Sequence, residues 1–348
     1  MTLDRTHLIA THDAILEERL DRLNDLIIDL GDGRIYTPPT LEEAEEIYFT
    51  LVGLAAHHLR TVGFKTVVVP ASGGADSTFM LCLLRDAADR LIENGMDAPQ
   101  IIGVTLPCTL QDDADYLDSM GVWACELYAD EYATVNVGKA HAAVMEELFD
   151  LDCIEMNTGR TMDELFKETS PDYPLREFKV DKGNVAARLR MIFSYGLAKM
   201  LGGAQCSTDN LSEGLTGFWT LCGDEGTFKY MQCVWKGLEL PQLMHVAGIP
   251  SPFIVQKETD GLGVNDGGDV AQIYGQLYKA GLTYIDVDIT LMRHLCGYEH
   301  PDPLYPDVPG YAHPVVGWYN RTGFKRDPFS LGRSDVGLTK IPGLKLAT

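Results

Sequence analysis

A chain of 348 residues, 45% of them apolar, is long enough to bury one large core or two small ones. Its formal net charge of −23 at pH 7 argues against a general nucleic-acid surface, because phosphate backbones attract Lys/Arg-rich faces. No apolar run reaches the length of a membrane span, and Met1–His7 shows no basic stretch leading into an apolar core, so a cytoplasmic protein without membrane attachment is expected. The eight cysteines form no C-x-x-C pair and the nine histidines no H-E-x-x-H spacing, which suggests neither a disulfide framework nor a zinc site.

Residues 1–40 show helical periodicity from Ala14 to Ile28 and end at Gly31-Asp32-Gly33 and Pro38-Pro39. They read as an N-terminal helical extension of unassigned role, with residues 41–348 as a single domain. Thr40-Leu41-Glu42-Glu43 reads as a capping box that opens a helix to about His58. A strand at Val67–Val69, a helix over Thr78–Glu93 and a strand over Ile101–Leu106 follow. Strand-like runs come next at Ala124–Tyr128 and Val135–Val137, then a helix over Ala140–Phe149. This alternation predicts an α/β fold, a Rossmann-like parallel sheet flanked by helices. Residues 151–183 are polar and weakly periodic, Asn184–Met200 is an amphipathic helix, and Gly203–Ser207 reads as a strand. Thr208 to about Thr216 reads as a loop opening another helix, and Lys236–Val246 is helical. Residues 222–230 and 251–268 read as lid loops, and the Pro-, Gly- and aromatic-rich tail from Pro301 as irregular.

The loop Ser72-Gly73-Gly74-Ala75-Asp76-Ser77 lies where the first strand hands over to its helix. Glycines let a ligand approach the backbone, and the free N–H groups of the helix start form an anion site. Asp76 would repel a phosphate without a cation between them, so its presence argues for Mg²⁺ bridging carboxylate and phosphate oxygens. The loop has neither a Walker lysine nor the glycine spacing of a dinucleotide fingerprint. A plainer reading is a tight turn with Ser or Asp as N-cap.

The same loop resembles the pyrophosphate loop (PP-loop) of enzymes that split ATP between its α- and β-phosphates. Five further stretches extend the likeness. They are Leu106-Pro107 with Gln111-Asp112-Asp113, Asn184 to Met191 with Arg188 and Arg190, and Ser207-Thr208-Asp209-Asn210 with Glu213. Thr216-Gly217-Phe218-Trp219-Thr220 with Gly223-Asp224 and Gly226-Thr227, and Gly281 to Asp286, complete the set. In combination they resemble the ammonia-dependent NAD⁺ synthetases over roughly residues 45–330.

That resemblance implies an adenine nucleotide α-hydrolase-like fold, a homodimer and a ligase forming a C–N bond. ATP and Mg²⁺ would activate the nicotinate carboxylate of deamido-NAD⁺ as an adenylate, releasing pyrophosphate, and ammonia would then displace AMP to give NAD⁺. Carried over by position, Ser72, Gly73, Gly74, Ala75, Asp76 and Ser77 hold the ATP pyrophosphate, while Thr208, Lys236 and Thr259 contact ATP. Asp76 and Glu213 bind Mg²⁺, Asp76 and Lys236 are catalytic, and Arg188 and Lys325 face deamido-NAD⁺, while Lys229, next to Phe228, is a further cation able by its charge to pair with the acceptor's carboxylate or phosphates. The chain has no room for a glutaminase half, so ammonia is expected free or from a partner; no nucleic acid or membrane is expected.

Other readings stay open for single residues. Arg188 and Arg190 also read as solvated helix residues, Glu213 as a capping-box glutamate, Lys236 as a surface lysine, and Phe218-Trp219 as core. Three positions depart from the family pattern: Leu221 and Phe324 where Lys and His are common, and Phe228 where Asp is placed. They remove polar groups and add aromatic surface on the acceptor side, which points to altered acceptor recognition or to an amide ligase for another carboxylate. A tRNA-modifying PP-loop enzyme would want a basic face, and a non-catalytic ATP-binding regulator would not need both Asp76 and Glu213 as metal ligands.

Overall fold

Three consecutive valines, Val67, Val68 and Val69, are fully buried and form the centre of the protein. The computed structural model describes residues 4–108, 114–149, 159, 164, 175–256, 268–279, 281–298 and 313–326. The valines belong to β3 (Thr66–Pro70), which pairs in parallel with β4 (Gln100–Thr105) on one side and β6 (Ala204–Gln205) on the other. With β5 (Glu131–Thr134) outside β4, the sheet order is β5-β4-β3-β6. The strand period of two sends alternate valines to opposite faces. Val67 and Val69 join one hydrophobic cluster, while Val68 joins another with Val104, Leu106, Ala186 and Ala198.

Helices cover both faces. The first cluster holds residues from α2 (Leu41–Val62), α3 (Ala75–Glu93) and α4 (Ala114–Tyr128), and from α8 (Leu240–Val246) and α9 (Ser251–Ile254). The second lies under α6 (Leu175–Met200), against which α5 (Gly138–Phe149) also packs. The capping box at Thr40 is present: its hydroxyl accepts from Glu43 N at 3.3 Å, and the Glu43 carboxylate accepts from Thr40 N at 2.9 Å. Among the described residues no helix is long and apolar enough to cross a membrane.

Four sequence expectations change. Ala124–Tyr128 is not a strand but the end of α4; a five-residue apolar run does not distinguish a buried helix turn from a strand. The helical spacing is visible in the burial of Met120, Trp123 and Ala124. Strand β5 lies at 131–134 rather than 135–137, although Val135 N and Val137 N continue the ladder to Thr105 O and Pro107 O. Lys236 precedes α8 instead of opening it. The tail is helical where it is described, as α12 (Pro314–Arg321) and α13 (Gly323–Arg326).

The two expected lid loops also have defined parts. Thr227 N donates to Gln205 O and Ser207 N to Phe228 O, both at 2.9 Å, so residues 226–229 run alongside β6. Residues 251–254 are a buried helix, and 257–267 lie outside the described residues. At the chain start, α1 (Arg5–Asn24) packs on α9, and the hairpin of β1 (Ile28–Asp29) with β2 (Ile35–Tyr36) lies near α11 (Tyr284–Leu295). Helical periodicity stops at Asn24; Ile28 is instead buried with Leu23, Leu238, Ile285 and Met292.

Phe228 belongs to the core, not to an acceptor surface. It is 5% exposed, stacks on Tyr230 at 5.8 Å and meets Phe64 edge-on at 6.2 Å. Replacing it with alanine should therefore cost about 3–5 kcal/mol of stability by cavity formation. Thermal or urea unfolding of Phe228→Ala measures this, and a cost below about 1 kcal/mol would contradict the placement.

Candidate active site

The Ser72–Ser77 loop follows β3 and is shaped by close backbone contact with α4. Gly73 has φ +81°, and a Cβ there would lie 2.4 Å from Gly121 N, so no larger residue fits. Gly74 is the N-cap of α3 and has no side chain to cap it, leaving the first-turn N–H groups available to an anion. The hydroxyls brace the turn: Ser72 Oγ accepts from Gly74 N at 3.2 Å and lies 3.1 Å from Ser77 Oγ, while Thr78 Oγ1 donates to Gly74 O at 2.9 Å. Asp76 falls in the first helical turn, facing the neighbouring strand's loop.

That neighbour is β6. The chain passes from β3 to β4 and β5 on one side, then returns to place β6 on the other. The crevice beyond the strand ends at such a reversal is where open α/β sheets bind ligands. Cys206 continues the β6 pairing with a bond from its N to Val68 O at 2.9 Å, and Asn210 then caps α7 (Leu211–Thr216) by accepting from Glu213 N at 3.0 Å. The other end of the Asn210 amide donates to Asp76 Oδ1 at 3.1 Å, joining the two loops directly. Glu213 is thus a first-turn residue capped by Asn210 rather than the reciprocal partner of a capping box.

Lys236 closes the group. Its ammonium lies 2.6 Å from Glu213 Oε1 and 3.1 Å from Asp76 Oδ2, and 4.6 Å from the Tyr284 ring centroid. Its backbone is fixed too: Lys236 N donates to Ser212 Oγ at 3.0 Å, and buried Asp288 accepts from Gly237 N at 2.7 Å. Three residues from separate stretches therefore meet around one ammonium, and Lys236 is half-buried rather than a solvated surface lysine.

The electrostatics favour added positive charge. Burial raises the Glu213 carboxyl above the ordinary glutamate range, with Asp76 adding to the shift and Lys236 opposing it. Burial likewise raises Asp209 well above the aspartate range, reinforced by Asp224, Glu213 and Asp76. Two carboxylates aimed at one cation position suit a hard divalent ion such as Mg²⁺. Among the described residues no group of three or more His, Cys, Asp or Glu side chains could hold a metal alone.

A second group lies beyond Asp209. Lys325 Nζ donates to Gly217 O at 2.6 Å and to Trp219 O, and lies 5.5 Å from the Trp219 ring. Burial lowers its pKa, Asp224 and Asp209 raise it, and nearby Arg188 lowers it again. Arg188 Nε donates to Leu221 O at 3.2 Å, and Arg190 Nε to Leu106 O at 3.1 Å. Arg188 and Lys325 are thus drawn together, with Leu221 beside them. Lys229 does not join them in contact: it is exposed, on the side of its strand-like segment opposite buried Phe228 and Tyr230. Phe218 packs edge-on against Trp318 at 5.1 Å, as core. Thr208 is half-buried between Ser207 and Asp209; Thr259 and the Phe324 side chain lie outside the described residues.

Two site residues were not singled out from sequence. Asn210 carried a readable signal, an N-cap residue type five residues after the end of β6 and three before Glu213. Gln256, whose amide donates to Gly73 O at 2.9 Å, carried none.

Residues 48–273 match the family model described as NAD synthase. The chain belongs to the NAD synthase family. Relatives of the chain include the NH(3)-dependent NAD(+) synthetase of Pseudomonas aeruginosa (strain UCBPP-PA14), 28% identical over 77% of this chain and 84% of that protein. The protein of the same name from Shewanella amazonensis is 30% identical over 78% and 87%. Among solved structures, NAD+ synthetase from Burkholderia pseudomallei aligns with TM-score 0.54 and 22% identity, covering 91% of this chain and 97% of its own. NMN synthetase from Francisella tularensis aligns with TM-score 0.58 and 19% identity, covering 81% and 95%. These structures share the fold, a parallel α/β sheet flanked by helices, and the family assignment makes the protein a ligase.

Asn210→Asp keeps the cap acceptor but sets a carboxylate against Asp76. Turnover should fall by on the order of tenfold or more, from like-charge repulsion in a half-buried site, while α7 remains capped. Steady-state rates beside circular dichroism check this; wild-type turnover would contradict the Asn210–Asp76 link.

Proposed function

We propose that this protein uses ATP and Mg²⁺ to amidate deamido-NAD⁺ with ammonia, giving NAD⁺, AMP and pyrophosphate through an adenylate, and that it works as a cytoplasmic homodimer. The observation that carries the reading is the meeting of Asp76 and Glu213 on the Lys236 ammonium, next to an uncapped helix start. In this scheme the Ser72–Ser77 backbone and hydroxyls, with Thr208 and Thr259, bind ATP, the loop taking its pyrophosphate. Asp76 and Glu213 would hold Mg²⁺, which when bound supplies charge neutralisation on the phosphate oxygens. Lys236 brings its positive charge to the phosphates as negative charge moves onto the departing pyrophosphate, in a site already arranged to receive it. Arg188 and Lys325 pair with the acceptor's carboxylate or phosphates, with Lys229 contributing from the exposed side.

Incubation with ATP, Mg²⁺, ammonium and deamido-NAD⁺ should yield AMP, pyrophosphate and NAD⁺ by mass spectrometry, and chelation of Mg²⁺ should stop it. Products of ADP and orthophosphate would overturn the reading. Asp76→Asn should reduce turnover by about 100-fold or more while leaving the fold intact.

Arg188→Ala should raise the apparent KM for deamido-NAD⁺ by roughly tenfold and leave that for ATP within about twofold. Equal effects on both would remove Arg188 from the acceptor site. Leu221, which offers only its carbonyl beside Arg188, favours a second reading in which the ligase takes another carboxylate. The solved protein named NMN synthetase shares the fold, so nicotinate mononucleotide belongs in the same assay. Saturating deamido-NAD⁺ without NAD⁺ formation would transfer the proposal to that reading.

A further inference from the structure

The peptide joining Gly73 and Gly74 is gripped at both ends. Its N–H donates to Ser72 Oγ at 3.2 Å, and its carbonyl accepts from Gln256 Nε2 at 2.9 Å. A carbonyl oxygen can only accept, so the chemistry requires the Gln256 amino group, not its oxygen, to face Gly73. Between two glycines a peptide plane turns over at small steric cost, because neither flanking residue restricts φ. Turned over, this one would lose both the Ser72 and the Gln256 hydrogen bonds and distort the turn that leads into α3.

The residue that grips the carbonyl is itself rigidly delivered. Gln256 follows α9, whose Phe253 packs on Trp123 of α4 at 4.7 Å between centroids. From α1, Arg19 Nη1 donates to Ile254 O at 2.9 Å, and Asp13 accepts from Ser251 Oγ at 2.6 Å. Val255 N closes the helix turn onto Ser251 O at 3.1 Å. Helix α4 meanwhile supplies Gly121 against Gly73 from the other side. The carboxamide thus reaches the loop from a pinned helix, 183 residues away in sequence.

We propose that Gln256 is a positioning residue for ATP: its amide fixes the Gly73–Gly74 peptide plane, and with it the turn that presents the uncapped first-turn N–H groups of α3 to the pyrophosphate. The role rests on the proposed ATP reaction, and the test separates the two. Gln256→Leu removes the donor at similar size, Gln256→Glu offers only acceptors to a carbonyl, and Gln256→Lys keeps a donor. Binding of α,β-methylene-ATP with Mg²⁺ is followed by calorimetry, with KM values for ATP and acceptor and the melting temperature alongside.

Leucine should weaken analogue binding on the order of tenfold and glutamate more, while lysine stays within about threefold of wild type. The KM for ATP should rise and that for the acceptor should not, with melting temperatures within a few degrees. Should the leucine substitution unfold the protein, the glutamate–lysine contrast decides. Equal binding by the glutamate and lysine variants, or parallel rises in both KM values, overturns the positioning role alone. Wild-type protein that binds no analogue overturns the ATP reading and this role with it.

Discussion

One ammonium group organises the functional end of this protein. Lys236 satisfies two carboxylates, Asp76 and Glu213, that would otherwise repel each other in a half-buried crevice. Partly buried charges persist only when paired, and removing one partner from such an arrangement is far more costly than breaking a surface bridge. The loop after β3, the helix after β6 and the segment before α8 are therefore electrostatically dependent on one another. A divalent ion brought in with phosphates would meet an acidic pair already assembled, so little of the binding energy goes into organising it.

This arrangement needs backbones to approach closely. Gly73 leaves room for Gly121 of α4, and a Cβ on Gly226 would lie 2.1 Å from Ser207 N. The first contact seats the phosphate loop on a helix; the second lets residues 226–229 run alongside β6. That pairing turns Phe228 inward against Phe64 and Tyr230, which is why a position expected to face the acceptor carries an aromatic ring instead. Arg188 and Lys325, proposed to meet the acceptor, are held near Leu221 and Trp219 by hydrogen bonds to main-chain carbonyls.

Much of this was legible in the sequence because local chemistry and local structure agreed. The valine run, the Ser/Gly/Asp loop and the following helix each follow from short-range rules, and the alternation of strands and helices gave the parallel sheet. Asp76, Glu213 and Lys236 were read as site residues, but the convergence of the two carboxylates on the Lys236 ammonium depends on which strands are neighbours, a property of topology. Ala124–Tyr128 misled because apolar runs of that length fit either period, and tertiary packing under β4 decided for helix. Lys229 was read by its charge alone; its outward direction follows from the two-residue alternation around Phe228, visible only once the segment pairs with β6. Gln256 gave no signal, since a lone glutamine acquires meaning only from the carbonyl opposite it.

The first forty residues have a consequence for how the molecule forms. Their partners lie far along the chain: Asp13 bonds Ser251, Tyr36 bonds Glu239 at 3.0 Å, and Arg34 reaches Cys296 O at 2.7 Å. Synthesis delivers this arm well before these three partners, which emerge more than 200 residues later. Closing loops of that span carries the full entropic cost before any contact rewards it, which places arm docking among the last events of folding. Until then, Leu23, Ile28 and their counterparts Leu238 and Ile285 remain exposed on two separate parts of the nascent protein, an interval in which chaperone binding and intermolecular exchange of the arm compete with native closure.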